Sequence, residues 1–133
     1  MELLQNKNVL VVGATGGIGA ETARLIKNNN ANVFLTGRDL SKLQEVATNC
    51  NIALDQVFQL DITNPNAVEQ VAAKIHEKVG QLDILVNAAG IGIIKSLEDL
   101  SYEDFNQVID VNLKGTFHLL KSFLPPMKEA KKD

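Results

Sequence analysis

The sequence has one cysteine, one tyrosine, no tryptophan and three prolines among its 133 residues. A single thiol, Cys50, cannot form an internal disulfide, which excludes a disulfide scaffold and fits a reducing cytoplasm. No apolar run reaches the roughly 18 residues a membrane span needs, and the opening Met-Glu-Leu-Leu-Gln carries no basic signal-peptide region. Neither sign of charge dominates: the net charge is −3 with Lys and Arg scattered along the chain, so no nucleic-acid footprint is expected. Internal repeats and low-complexity linkers are missing too. The expectation is one cytoplasmic domain over residues 1–133, long enough to bury a core and associated with neither membrane nor nucleic acid.

What is present is an alternation of two periodicities. Short, continuous apolar runs at residues 9–12, 32–36, 56–60 and 83–87 predict strands buried on both faces. Between them lie helical patterns. Ile18, Thr22, Leu25, Ile26 and Asn29 share one face of the first. A shorter second covers 41–49, with Asp39 or Ser41 as its N-cap. In the third, Val68, Val71, Ala72, Ile75 and Val79 repeat at helical spacing and Gly80 closes it. Strand alternating with helix predicts a parallel sheet with right-handed crossovers. A loop at 88–100 and a long helical stretch from Ser101 toward Ala130 follow. Its stripe runs through Phe105, Val108, Ile109, Asn112, Leu113, Thr116, Leu120 and Phe123, which puts the amide of Asn112 on the inward face. Gly115 implies close packing or a bend, and Pro125-Pro126 is expected to break the ladder before a charged tail at 128–133.

Chemistry-bearing residues gather where strands end. Gly13-Ala14-Thr15-Gly16-Gly17-Ile18-Gly19 joins the first strand to the first helix. Such glycines let the backbone turn sharply and approach a pyrophosphate, whose charge a helix N-terminus stabilises; an ordinary strand–helix turn is the competing reading. Thr36-Gly37-Arg38-Asp39 ends the second strand. An Arg here suits the 2′-phosphate of NADP, whereas an acid suits the ribose hydroxyls of NAD, and Arg38 can equally stand on solvent. Asp39 lies about 20 residues past the last glycine, the count for a ribose acid, yet it also suits the N-cap of the next helix. Asp61 follows the third strand, with a cap of the helix after Asn64-Pro65 as its alternative role. Asn87-Ala88-Ala89-Gly90 follows the fourth.

These segments, with Val111-Asn112-Leu113-Lys114-Gly115, resemble the short-chain dehydrogenase/reductase family in order and spacing along the whole chain. The resemblance implies an α/β, Rossmann-type doubly wound parallel sheet, truncated to the first four strands in the order 3-2-1-4. Helices one and two would lie on one face, helix three and the terminal helix on the other. It implies a nicotinamide dinucleotide whose phosphates rest on Gly13, Thr15, Gly17, Ile18 and Gly19. Gly37 stands where NAD users usually have Asp, and Arg38 where a base accompanies NADP, so NADP(H) is expected over NAD(H). Asp61 and Ile62 would hold the adenine, and Asn87, Ala88 and Gly90 would border its ribose. Asn112 matches the family's active-site Asn, which kinks its helix and orders a water in the proton relay; a satisfied core amide is the alternative. No metal is expected.

Two departures are small. Val12 and Ala88 replace a Thr and an Asn common in the family, each losing one side-chain hydrogen bond between strand ends. The third concerns chemistry. The family's Ser and Tyr-x-x-x-Lys lie downstream of the matched segments, and the resemblance ends at about half the usual length. Tyr102 cannot stand in, because Asn106 occupies the fourth position after it, and His76 and His118 have no acid partner nearby in sequence. The expectation is an oxidoreductase by ancestry whose 133 residues bind the dinucleotide without hydride transfer of their own. A structural or assembly module with a vestigial site, or half of an enzyme completed in trans, are the alternatives. The fourth strand carries no Lys, Pro or bulge to guard its edge, and together with the terminal helices it predicts a homodimer.

Overall fold

A computed structural model describes residues 2–130. Four parallel strands, β1 (Asn8–Val12), β2 (Asn32–Gly37), β3 (Val57–Gln59) and β4 (Ile84–Asn87), form one sheet in the expected order β3-β2-β1-β4. β1 lies in register with β2 from Asn8↔Asn32 to Val12↔Thr36 and with β4 from Val9↔Ile84 to Val12↔Asn87. Their C-terminal ends are therefore level along one edge.

Side chains alternate across the sheet as the period of two requires. Val9, Val11, Val33 and Leu35 meet Ala23 of α1 (Gly17–Asn28) and Leu43 and Ala47 of α2 (Leu40–Asn49). Leu10, Val12 and Phe34 meet α3 (Pro65–Val79) through Val68, Val71, Ala72 and Ile75, and α5 (Gly115–Ala130) through Leu119 and Phe123. Burial on both faces explains why β1 and β2 read as unbroken apolar runs; β3 and β4, expected to be buried likewise, are only partly buried because each lies at an end of the four-stranded sheet. At the strand entrances a side-chain ladder crosses the sheet. Gln56 Nε2 donates to Asn32 Oδ1 at 2.6 Å, Asn32 Nδ2 to Asn8 Oδ1 at 2.8 Å, and Asn8 Nδ2 to the Gln81 carbonyl at 2.9 Å. That edge is satisfied by its own amides; the opposite edge is where the chemistry lies.

Three further expectations need correction. In α1 the fully buried residues are Gly19 and Ala23; of the expected face Ile26 does pack against the core, whereas Ile18 is 80% and Leu25 49% exposed. Small residues win because they let the helix approach the sheet: a Cβ at Gly19 would collide with the Gly13 carbonyl. The terminal helical stretch is not one stripe. It comprises α4 (Tyr102–Ile109), a π-helical turn at Asp110–Lys114 and α5. The extra residue of a π turn rotates the following chain by about 100° relative to α-helical phase. Gly115, Leu119 and Phe123 are consequently buried, while Leu113, Phe117, Leu120 and Leu124 form a separate exposed stripe and Asn112 is exposed. Finally, α5 runs through Pro125 and Pro126 to Ala130. The amides these prolines lack would have met the carbonyls of Lys121 and Ser122, neither of them buried, so water can serve those acceptors. Phe123 and Met127 hold the helix to the core on either side of the break. Residues 131–133 of the expected charged tail lie outside the described residues.

Candidate functional site

The β1–α1 turn is built by two steric necessities. Gly13 has φ +76°, and a Cβ there would lie 2.6 Å from the Ala89 amide nitrogen. The amides of Gly13 and Ala14 both donate to the Thr36 carbonyl, at 3.0 and 3.1 Å, which fixes the turn over the end of β2. Gly16 is the N-cap of α1 and offers no side-chain cap, and the first turn carries no acid. The leading N–H groups of α1 are left for an external acceptor, which is the arrangement of an anion site. Gly17 faces open space: a Cβ there would meet nothing within 4 Å.

In front of this turn lies a cleft of about 710 Å³ across the C-terminal ends of all four strands. Of the residues singled out from sequence, Gly13, Thr15, Arg38, Asp61, Ile62, Ala88 and Gly90 line it. Gly17, Ile18, Gly19, Asn87 and Asn112 do not; the first three open α1, and the two exposed asparagines hydrogen-bond the backbone of the segment after β4. Lys42, Gln59, Ile91 and Val111 line it as well and were not anticipated. Lys42 was legible in principle, three residues past a capping Asp and so on the first turn of α2. With Arg38 it gives the β2 end of the cleft two cations. The Arg38 backbone is held by Gln59 Nε2, which donates to its carbonyl at 2.9 Å.

The alternatives left open by the sequence resolve locally. Asp39 is the N-cap of α2, its Oδ1 accepting from the Lys42 amide at 3.1 Å, though it also borders the cleft. Asp61 does not cap α3. Asn64 does, accepting from Ala67 N at 3.2 Å with Pro65 at the first helical position. Asp61 Oδ1 instead accepts from Thr63 N at 3.0 Å and Thr63 Oγ1 at 2.7 Å, a compact turn beyond β3. Asn87 Nδ2 donates to Thr116 Oγ1 at 3.1 Å, while its Oδ1 accepts from Ala89 N at 3.1 Å. Asn112 is neither buried nor a core amide: it makes two hydrogen bonds to the backbone of Ile91 in the loop after β4. Thr36, the register partner of Val12, is fully buried, and its Oγ1 has no hydrogen-bond partner among the described residues.

Other reactive side chains stand apart. Tyr102 is 90% exposed at the start of α4 and does not line the cleft. Cys50 is buried, and burial pushes its thiol up. Among the described residues no group of three or more His, Cys, Asp or Glu is placed to hold a metal ion, and no helix is long and apolar enough to cross a membrane.

The architecture and the turn have close counterparts. An oxidoreductase of Staphylococcus saprophyticus, itself uncharacterized, is 39% identical over 127 residues, covering 93% of this chain and 54% of that protein. A short chain dehydrogenase from Mycobacterium smegmatis superimposes with a TM-score of 0.89 at 28% identity, over 98% of this chain and 55% of that one. A metagenomic short-chain oxidoreductase in complex with NADP superimposes with a TM-score of 0.88 at 32% identity, over 97% and 60%. This chain thus spans about half the length of the curated relatives it matches. The family model for short chain dehydrogenases matches residues 7–133, and with that match the chain belongs to the short-chain dehydrogenase family.

Proposed function

We propose that this chain binds a nicotinamide dinucleotide in the cleft at the strand ends, NADP(H) in preference to NAD(H). The observation that carries the reading is the juxtaposition of an uncapped helix N-terminus with two cations, Arg38 and Lys42, in one cleft. The residues present fit such a ligand. The first turn of α1 would take the pyrophosphate, Thr15 and Gly13 its near side, and Arg38 the 2′-phosphate. Asp61 and Ile62 would flank the adenine, with Ala88 and Gly90 beside its ribose. The family relationship and the NADP held by the metagenomic relative support this assignment. When bound, the dinucleotide supplies hydride exchange; the chain's own residues bind and orient it. Titration of the protein with NADPH and NADH tests the reading, with affinity for NADPH about tenfold the higher. Equal affinities would return the ribose role to Asp39.

These 133 residues hold no Tyr-x-x-x-Lys, since Tyr102 is followed at four by Asn106. We therefore propose that they transfer no hydride by themselves. Absence of the general acid alone costs about 10²–10⁴-fold, so turnover of simple alcohols or carbonyls should not rise above background. Turnover that survives rigorous purification and is abolished in Asn112→Ala would contradict this.

A homodimer is the third part of the proposal. Leu113, Phe117, Leu120 and Leu124 expose one continuous stripe, and β4 pairs with β1 alone among the described strands. Light scattering at micromolar concentration should find twice the chain mass, and Phe117→Glu with Leu120→Glu should return it to one. A monomeric wild-type protein would contradict it.

A further inference from the structure

His118 does not line the cleft, yet it is tied to the wall that does. Its Nδ1 lies 2.7 Å from the Ile62 carbonyl. A carbonyl can only accept, so the imidazole carries its proton on Nδ1 and donates it there. One turn earlier on the same face, Gly115 brings the α5 backbone against the Ile62 side chain, close enough that a Cβ would lie 2.5 Å from Ile62 Cδ1. Ile62 is thereby gripped at both its side chain and its carbonyl by one helix. The rest of the turn is closed locally, just before α3: the Asn64 amide donates to the Asp61 carbonyl at 3.1 Å, and Asp61 Oδ1 takes both donors of Thr63. Residues Asp61 and Ile62 are the part of the cleft that β3 delivers, and β3 is only three residues long, at the sheet edge. The ladder to β2 ends one residue further on, where the Leu60 amide donates to the Gly37 carbonyl at 2.8 Å, so beyond Leu60 the wall depends on contacts from outside the sheet, of which those from α5 reach Ile62.

We propose that His118 is a positioning residue for dinucleotide recognition, acting through the Ile62 carbonyl on the adenine-side wall; this rests on the reading of the cleft above. His118 touches no bound group in this role. It sets the location of Asp61 and Ile62 relative to the glycine turn, which β1 holds independently. The same helix carries the companion contacts on the opposite wall, Thr116 to Asn87 and Asn112 to Ile91, so α5 with its π turn spans both sides of the cleft.

Three substitutions test this. Asn places an amide nitrogen where the His Nδ1 lies, Gln carries the same amide one bond too far, and Phe keeps the ring without a donor. NADPH affinity should fall roughly three- to tenfold in His118→Phe and His118→Gln, and stay within about twofold of wild type in His118→Asn. Without ligand, amide exchange at Thr63 and Asn64 should quicken in His118→Phe and not in His118→Asn. Affinity unchanged in both His118→Phe and His118→Gln overturns the proposal while leaving the cleft reading intact. A His118→Asn protein as weak as His118→Phe overturns it too, because the Nδ1 bond would not be the cause. A wild-type protein that binds no NADPH overturns the cleft reading and this proposal together.

Discussion

Asn112 and Ile91 hold each other twice: Asn112 Nδ2 donates to the Ile91 carbonyl at 2.9 Å, and Asn112 Oδ1 accepts from the Ile91 amide at 2.9 Å. One side chain thus closes both backbone groups of a residue 21 positions away, in a loop with no strand or helix of its own from Ala88 to Ser96. The π turn makes this possible. Without its extra residue, Asn112 would keep α-helical phase with the stripe that begins at Phe105 and would point elsewhere.

Asn112→Ala should leave both Ile91 groups to water and loosen the loop that walls the cleft. Because the site is exposed, the global loss is modest, about 1 kcal/mol in chemical denaturation. NADPH affinity should fall in parallel, and amide exchange at Ile91 should rise more than at any residue of β1.

Arg38→Ala should erase the preference for NADPH and leave NADH affinity nearly unchanged. The arginine's side chain is not needed for the fold, since Gln59 grips its backbone carbonyl. Paired titrations of wild type and variant check this. A variant that loses affinity for both cofactors equally would assign Arg38 a different contact.

Gly19→Ala and Gly17→Ala should separate folding from binding within one turn. At Gly19 the added methyl strikes the Gly13 carbonyl, and overpacking of this kind costs about 1–3 kcal/mol. At Gly17 the methyl enters open space, so the thermal midpoint should hold while dinucleotide affinity drops. Unchanged affinity in Gly17→Ala would mean that the ligand does not approach that side.

Asp104 gives the protein an acid limb. Lys95 hydrogen-bonded to its carboxylate, and then the Ser101 amide of the capping box, hold it below the ordinary carboxylate range. A carboxylate whose folded pKa is depressed adds stability above its unfolded pKa and loses it as pH falls through the folded one. Urea unfolding between neutral pH and about pH 3 should show that decline, and Asp104→Asn should lessen it, leaving the share of Glu21, which Arg24 holds low in the same way.

Much of this architecture was legible in the residues. The inner strands β1 and β2 announce themselves as unbroken apolar runs, and Gly13 and Gly19 mark a turn that a side chain at either position would obstruct. What stayed hidden has a common physical origin. The stripe from Phe105 to Phe123 assumed one helical phase, and nothing in composition marks a π turn. The inward face of α1 is set by the smallness of Gly19 and Ala23, which a search for large apolar residues passes over. Ile91 reaches the cleft only because the loop after β4 folds back on Asn112.

The most direct measurement is a backbone amide map of the wild-type protein titrated with NADPH. Binding across the strand ends predicts shifts at Gly16, Gly17, Ile18 and Gly19, at Arg38, at Asp61 and Ile62, and from Ala88 to Ile91. The amide ladder at the other edge, Asn8, Asn32 and Gln81, should stay still. Shifts confined to that ladder or to the exposed stripe of α5, or no shifts at millimolar NADPH, would contradict it.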